Sequence, residues 1–84
     1  MYDLYFTLRS VTPGQKGRDA LRRAGVSCEL IRAPRAIAPG GCAYALALRG
    51  RDREAALRAL ERVSLRPEGV WQRGPDGAYE REGL

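Results

Sequence analysis

Histidine is absent from this sequence, and that absence excludes more chemistry than any residue present suggests. Without an imidazole there is no Ser-His or Cys-His pair to activate a nucleophile, and the commonest metal ligand is missing. Hydrolases and metalloenzymes of the usual kinds are thereby set aside, and no cofactor or metal is expected. Cysteine is scarce: Cys28 and Cys42 are the only two, and their spacing fits no zinc pattern. No apolar run approaches the roughly 20 residues needed to cross a bilayer, so no membrane partner is expected. Nothing at "MYDLYFTLRS" resembles a signal peptide. The expected location is the cytoplasm, whose reducing conditions argue against a disulfide. Lysine is nearly absent too. Of 15 basic residues only Lys16 is a lysine and 14 are arginines, a usage that matches a GC-rich genome.

What is present is ordinary for a small globular chain: 44% hydrophobic and 30% charged residues over 84 positions, enough for one domain with one core. The formal charge of +5 invites a nucleic-acid reading. Many arginines alternate with acids, however, as in "RDREAALRALER", which reads as a solvated helix face.

Residues 2–8, "YDLYFTL", alternate with Tyr2, Leu4, Phe6 and Leu8 on one side, which predicts a strand with one buried face. Thr12 reads as an N-cap, with Pro13 at the first helical position and Gln15 three residues on. That helix runs to about Ala24 and stops at Gly25, a C′ glycine, while Gly14 and Gly17 weaken it. Residues 26–32 form a second strand. Two prolines and two glycines make residues 33–41 an irregular loop, and residues 42–48, "CAYALAL", form a third strand. One face of that strand shows only Ala43, Ala45 and Ala47, so something packs closely there, a second subunit being one candidate. Asp52 caps a second helix over about 53–64, with Ala56, Leu57, Leu60 and Val63 as its apolar stripe. "VWQR" is a fourth strand, "GPDG" a turn, and residues 76–84 either add a short edge strand or fray.

Strand, helix, strand, strand, helix, strand is the order of an α+β, ferredoxin-like split βαβ fold, with two helices on one face of an antiparallel sheet. If Arg32 lies beside Cys42, Cys28 falls opposite Leu46. The two sulfurs are then about 13 Å apart along the strand, too far for a disulfide.

Cys28 holds a core-facing strand position and reads as a small hydrophobe. Cys42 stands in a different context. It follows Gly40 and Gly41, whose bare backbone amides can form a concavity for an anion, and Arg35, with Arg32, can add positive charge. Such surroundings lower a thiol pKa and raise the thiolate fraction that nucleophilic or sulfur-transfer chemistry requires.

The segment "LRRAGVSCELIRAPRAIAPGGCAYALAL" resembles the selenium/sulfur carrier protein-like family of small bacterial domains. Leu21, Gly25 and Val26 match the family's helix end. Pro34, Arg35 and Ile37 match the start of its loop, and Cys42, Ala45 and Leu46 match its end. The likeness covers most of residues 2–73. It departs where the family's serine before the cysteine is Pro39 or Ala38, and where Ala43 replaces the commoner glycine; the lost hydroxyl removes one hydrogen bond to a thiolate. The resemblance implies that Cys42 accepts sulfur or selenium, and that Pro34 and Arg35 shape its loop. It also implies a carrier rather than a turnover enzyme. A carrier takes its cargo from a donor such as a cysteine desulfurase and passes it to an acceptor enzyme.

Two other readings stand beside this one. The first is a non-catalytic ferredoxin-like interaction or regulatory module, a homodimer among its forms, using the alanine face together with Trp71 or Tyr79. The second, ranked last, is nucleic-acid binding, because no pair of stacking aromatics is evident on the central strands.

Overall fold

In the computed structural model, which describes residues 1–38 and 43–82, the opening alternation becomes strand β1 (Leu4–Leu8). The chain continues through helix α1 (Val11–Arg23), β2 (Cys28–Arg32), β3 (Tyr44–Leu48), helix α2 (Arg53–Arg62), β4 (Gly69–Arg73) and β5 (Tyr79–Glu82). The sheet order is β2-β3-β1-β4-β5, and every neighbouring pair is antiparallel. β3 thus lies between β1 and β2, the two strands joined by α1. Two helices and a five-stranded antiparallel sheet make an α+β fold compatible with the expected ferredoxin-like split βαβ arrangement. The segment after the "GPDG" turn resolves in favour of an edge strand, since β5 pairs with β4 from Tyr79 opposite Arg73 to Glu82 opposite Val70.

The helices cover one face of the sheet. Leu4, Phe6 and Leu8 of β1, Leu46 and Leu48 of β3 and Val70 of β4 meet Ala20 and Leu21 of α1 and Ala56, Ala59 and Leu60 of α2. α1 lies close on the sheet because its contact stripe is glycine. A Cβ on Gly14 would stand 2.7 Å from Leu30 Cδ1, and one on Gly17 would stand 2.7 Å from Leu46 Cδ1. The two glycines read in the sequence as helix weakeners are the helix's packing face.

Both helix ends are closed by the same device. After α1, Gly25 adopts φ +77°, its amide donates to Arg22 O, and the Val26 amide donates to Leu21 O. This Schellman closure is the one the C′ glycine predicted. After α2 the left-handed position is taken by Ser64 (φ 56°), with Ser64 N–H to Glu61 O and Leu65 N–H to Leu60 O. At the other end of α1 the expectation needs correction. The N-cap is Ser10 rather than Thr12, and Pro13 is the third helical residue. Amides of the whole first turn lack intrahelical acceptors, so proline is tolerated throughout it.

β1 also differs from its prediction: all five residues are buried, Tyr5 and Thr7 included. The face away from the helices is covered by a second cluster of Tyr5, Ile37, Ala45 and Ala47, flanked by Tyr2, Ile31, Ala33, Trp71 and Tyr79. The close neighbour of the alanine face is therefore the chain's own Ile37, 1% exposed.

Candidate functional site

The loop between β2 and β3 is held at its neck and from within. At the neck, the ladder ends with Arg32 opposite Tyr44, and the Ala33 amide donates to the Ala43 carbonyl at 3.0 Å. The predicted register is corrected by two residues: Cys28 faces Leu48, not Leu46. The expectation of independent thiols involves Cys42, which lies outside the described residues. Within the loop, Pro34 (φ −55°, ψ 144°) leads into a 3-10 turn over Arg35–Ile37. Ile37 N–H bonds Pro34 O at 3.0 Å, and Ala38 N–H bonds Arg35 O at 3.3 Å. The turn drives Ile37 against the sheet and leaves Arg35 exposed. Of the predicted site residues, Pro34 and Arg35 are therefore placed at the loop's start, while Gly40, Gly41 and Cys42 lie outside the described residues.

The surroundings of the neck are cationic. The Arg32 guanidinium carbon lies 5.7 Å from the centroid of the Tyr44 ring. Tyr44 is half-buried at the start of its strand. Leu8, the last residue of β1, faces Tyr44, and α1 begins three residues later. The amino end of α1, the positive end of its dipole, thus opens at the same sheet edge as the loop. Ser10 caps that end without a side-chain hydrogen bond. Among the described residues, neither Arg32 nor Arg35 forms an ion pair.

Cys28 has a different environment. It is half-buried against the helix-side core, and its Sγ lies 3.9 Å from the Arg18 carbonyl oxygen, to which the thiol donates. Burial pushes the Cys28 thiol above its ordinary pKa; Arg22 and Arg18 pull partly the other way, and Asp19 adds to the rise. A thiol held neutral is a poor nucleophile.

Among the described residues no group of three or more His, Cys, Asp or Glu side chains is placed to hold a metal ion. Among the described residues no helix is long and apolar enough to cross a membrane. Two surface cavities lie away from the loop. One of about 490 Å³ is lined by Leu57, Glu61, Ser64, Leu65, Arg66 and Pro67. The other, about 320 Å³, is lined by Met1, Asp3, Arg49, Gly50 and Arg51.

Sequence reasoning missed one constellation. β4 neighbours β1 with Tyr5 directly opposite Trp71, so the central sheet does carry a facing pair of aromatics. Tyr79 meets Tyr5 edge-on at 5.5 Å. Burial in this cluster is the main cause that pushes the Tyr79 hydroxyl above its ordinary pKa. The signal was available: in the split βαβ order the fourth strand borders the first, and Trp71 is out of phase with core-facing Val70.

A family model described as "Putative Se/S carrier protein-like" matches residues 3–72, most of the chain. No curated protein matches, and no solved structure matches.

Proposed function

We propose that this chain, which belongs to the selenium/sulfur carrier protein-like family, carries sulfur or selenium on the thiol of Cys42. The observation that supports this reading is the family match across residues 3–72, which spans both the loop start at Pro34–Arg35 and the cysteine at its end. The environment of Cys28 supports it further: burial raises that thiol's pKa and disfavours its thiolate.

The chemistry is an exchange without net oxidation. The Cys42 thiolate attacks the outer sulfur of a donor persulfide, such as that of a cysteine desulfurase. A new S–S bond forms on Cys42 and the donor thiolate departs. In delivery, a nucleophile of the acceptor enzyme takes the outer atom and the Cys42 thiolate leaves. Selenium follows the same path through a selenosulfide. Neither step needs a histidine, a metal or a resident cofactor. Both need a thiolate, and Arg32 and Arg35, which form no ion pair among the described residues, and the α1 amino end lie at the end of the sheet where the loop departs.

The test is loading by a cysteine desulfurase with cysteine, read by mass spectrometry of the intact chain. The parent and Cys28→Ser each gain one reducible sulfur, and Cys42→Ser gains none. Loading at Cys28, or no loading where an established carrier loads, overturns the proposal.

A further inference from the structure

We propose that the sheet face opposite the helices binds single-stranded nucleic acid, stacking bases on its aromatic rings and pairing phosphates with arginines that form no ion pair among the described residues. Four of the chain's six aromatic residues, Tyr2, Tyr5, Trp71 and Tyr79, gather on this one face. Tyr5 is the buried floor; Tyr2, Trp71 and Tyr79 keep part of their surface open to solvent. Trp71 lies beside Gly69, where a Cβ would come within 3.0 Å of the indole Nε1. The missing side chain leaves room for the indole along its strand.

Charge is sorted across β5 by its alternation. Arg81 sits opposite Trp71 with its guanidinium carbon 5.8 Å from the ring centroid, and Tyr79 sits opposite Arg73. The acids of the same strand, Glu80 and Glu82, alternate to the helix side, where Glu82 is bound by Arg53 at 2.6 Å. At the other end of the face, the Arg49 guanidinium carbon is 5.9 Å from the Tyr2 ring centroid. Among the described residues Arg49, Arg73 and Arg81 form no ion pair. Two acids border the face: Glu29 on β2, opposite Ala47, and Asp3, whose carboxylate is already taken by the Gly50 amide and Gln72. The balance is positive, which suits a polyanion.

Charge alone would fit an acidic peptide equally well. The rings decide between them, because stacked flat groups are what a base offers and a carboxylate side chain does not. The strands are short, so the face spans about four nucleotides, the low end for such platforms. This site is separate from the carrier thiol and does not depend on it.

Trp71 is the chain's single tryptophan, so its fluorescence reports this face directly. The full chain is titrated at low salt with a short single-stranded RNA, a single-stranded DNA of matching sequence, their duplex, and polyglutamate. At least one single strand quenches the tryptophan and binds about 10-fold or more tighter than the duplex. Tyr79→Ala weakens that binding roughly 10-fold. Arg81→Ala does so too, and lowers the salt slope by about 0.7. Arg81 is exposed, so that variant keeps the parent's melting temperature and its sulfur loading, which separates failure here from failure of the carrier reading. No quenching by either strand, equal affinity for duplex, or the same quenching by polyglutamate overturns the proposal. So does a stable dimer that buries Trp71 and dissociates in Arg81→Glu.

Discussion

The Ala33 amide donates a 3.0 Å hydrogen bond to the Ala43 carbonyl, one position beyond the Arg32–Tyr44 pair that ends the β2–β3 ladder. The bond closes the loop at its base, and Ile37 anchors the loop's first half to the sheet from within. The two residues that border the segment 39–42, Ala38 and Ala43, are thus each tied to ordered structure.

Ile37 should therefore matter to stability as well as to presentation. Ile37→Ala removes a fully buried side chain and is expected to destabilise the protein by about 3 kcal/mol. Denaturant unfolding measures the first effect. Slower sulfur loading at a temperature where the variant is still folded measures the second. A variant as stable as the parent would mean that the loop's contact with Ala45 and Ala47 contributes nothing.

Gly14 and Gly17 offer a test in which helix propensity and packing pull in opposite directions. Alanine is the better helix former by about 1 kcal/mol. At Gly17 a Cβ meets Leu46 at 2.7 Å, Leu65 at 3.0 Å and Leu60 at 3.3 Å, so three packed leucines must yield. Gly17→Ala is expected to destabilise by about 1–3 kcal/mol. At Gly14 the three nearest atoms all belong to the side chain of Leu30, half-buried on an edge strand and able to rotate. Gly14→Ala should be nearly neutral, and thermal melts of the two variants should differ in that order.

Ser64 holds a left-handed backbone that favours glycine. Ser64→Gly relieves that conformation and is expected to stabilise by about 0.5–1 kcal/mol, raising the melting temperature by a few degrees for a chain of this length. Ser64→Ala keeps the strain and should show no gain.

Asp3 ties the start of β1 to its surroundings. The Gly50 amide donates to its Oδ1 at 2.8 Å, and Gln72 Nε2 donates to its Oδ2 at 2.7 Å. The Gly50 amide is the largest cause lowering the Asp3 pKa; burial opposes it, and Gln72 adds to the lowering. A depressed folded-state pKa contributes stability that is complete above the unfolded value, near pH 4, and is lost as pH falls through the lower folded value. Melting temperatures followed from pH 6 down to pH 2.5 should fall more steeply in the parent than in Asp3→Asn. Parallel curves for the two proteins would remove Asp3 from the account.

Much of the fold was legible because it is written in local patterns. The alternation of residues 2–8, Gly25 at the helix end, Asp52 before the second helix and the apolar stripe through Ala56 and Leu60 each act over a few residues, and each appears where expected. Of the site residues read from the sequence, the structure describes only Pro34 and Arg35, and the Cys42 reading comes from its neighbours in sequence and from family resemblance. What stayed illegible involved partners distant in sequence. The strand boundaries could not reveal that Cys28 pairs with Leu48. Nor could a lone Ile37 in a proline-rich loop announce that it covers two alanines.

Residue order alone determined which segments become the two helices and the first four strands, that histidine chemistry is excluded, and that one cysteine follows a glycine pair in a family-like loop. These follow from short-range sterics, periodicity and composition. Tertiary structure alone decided that both faces of β1 are buried, that Gly14 and Gly17 are contact surfaces, and that Tyr5 stands opposite Trp71. Each depends on which distant surface arrives against the residue, and that is a property of the assembled sheet rather than of any stretch of chain.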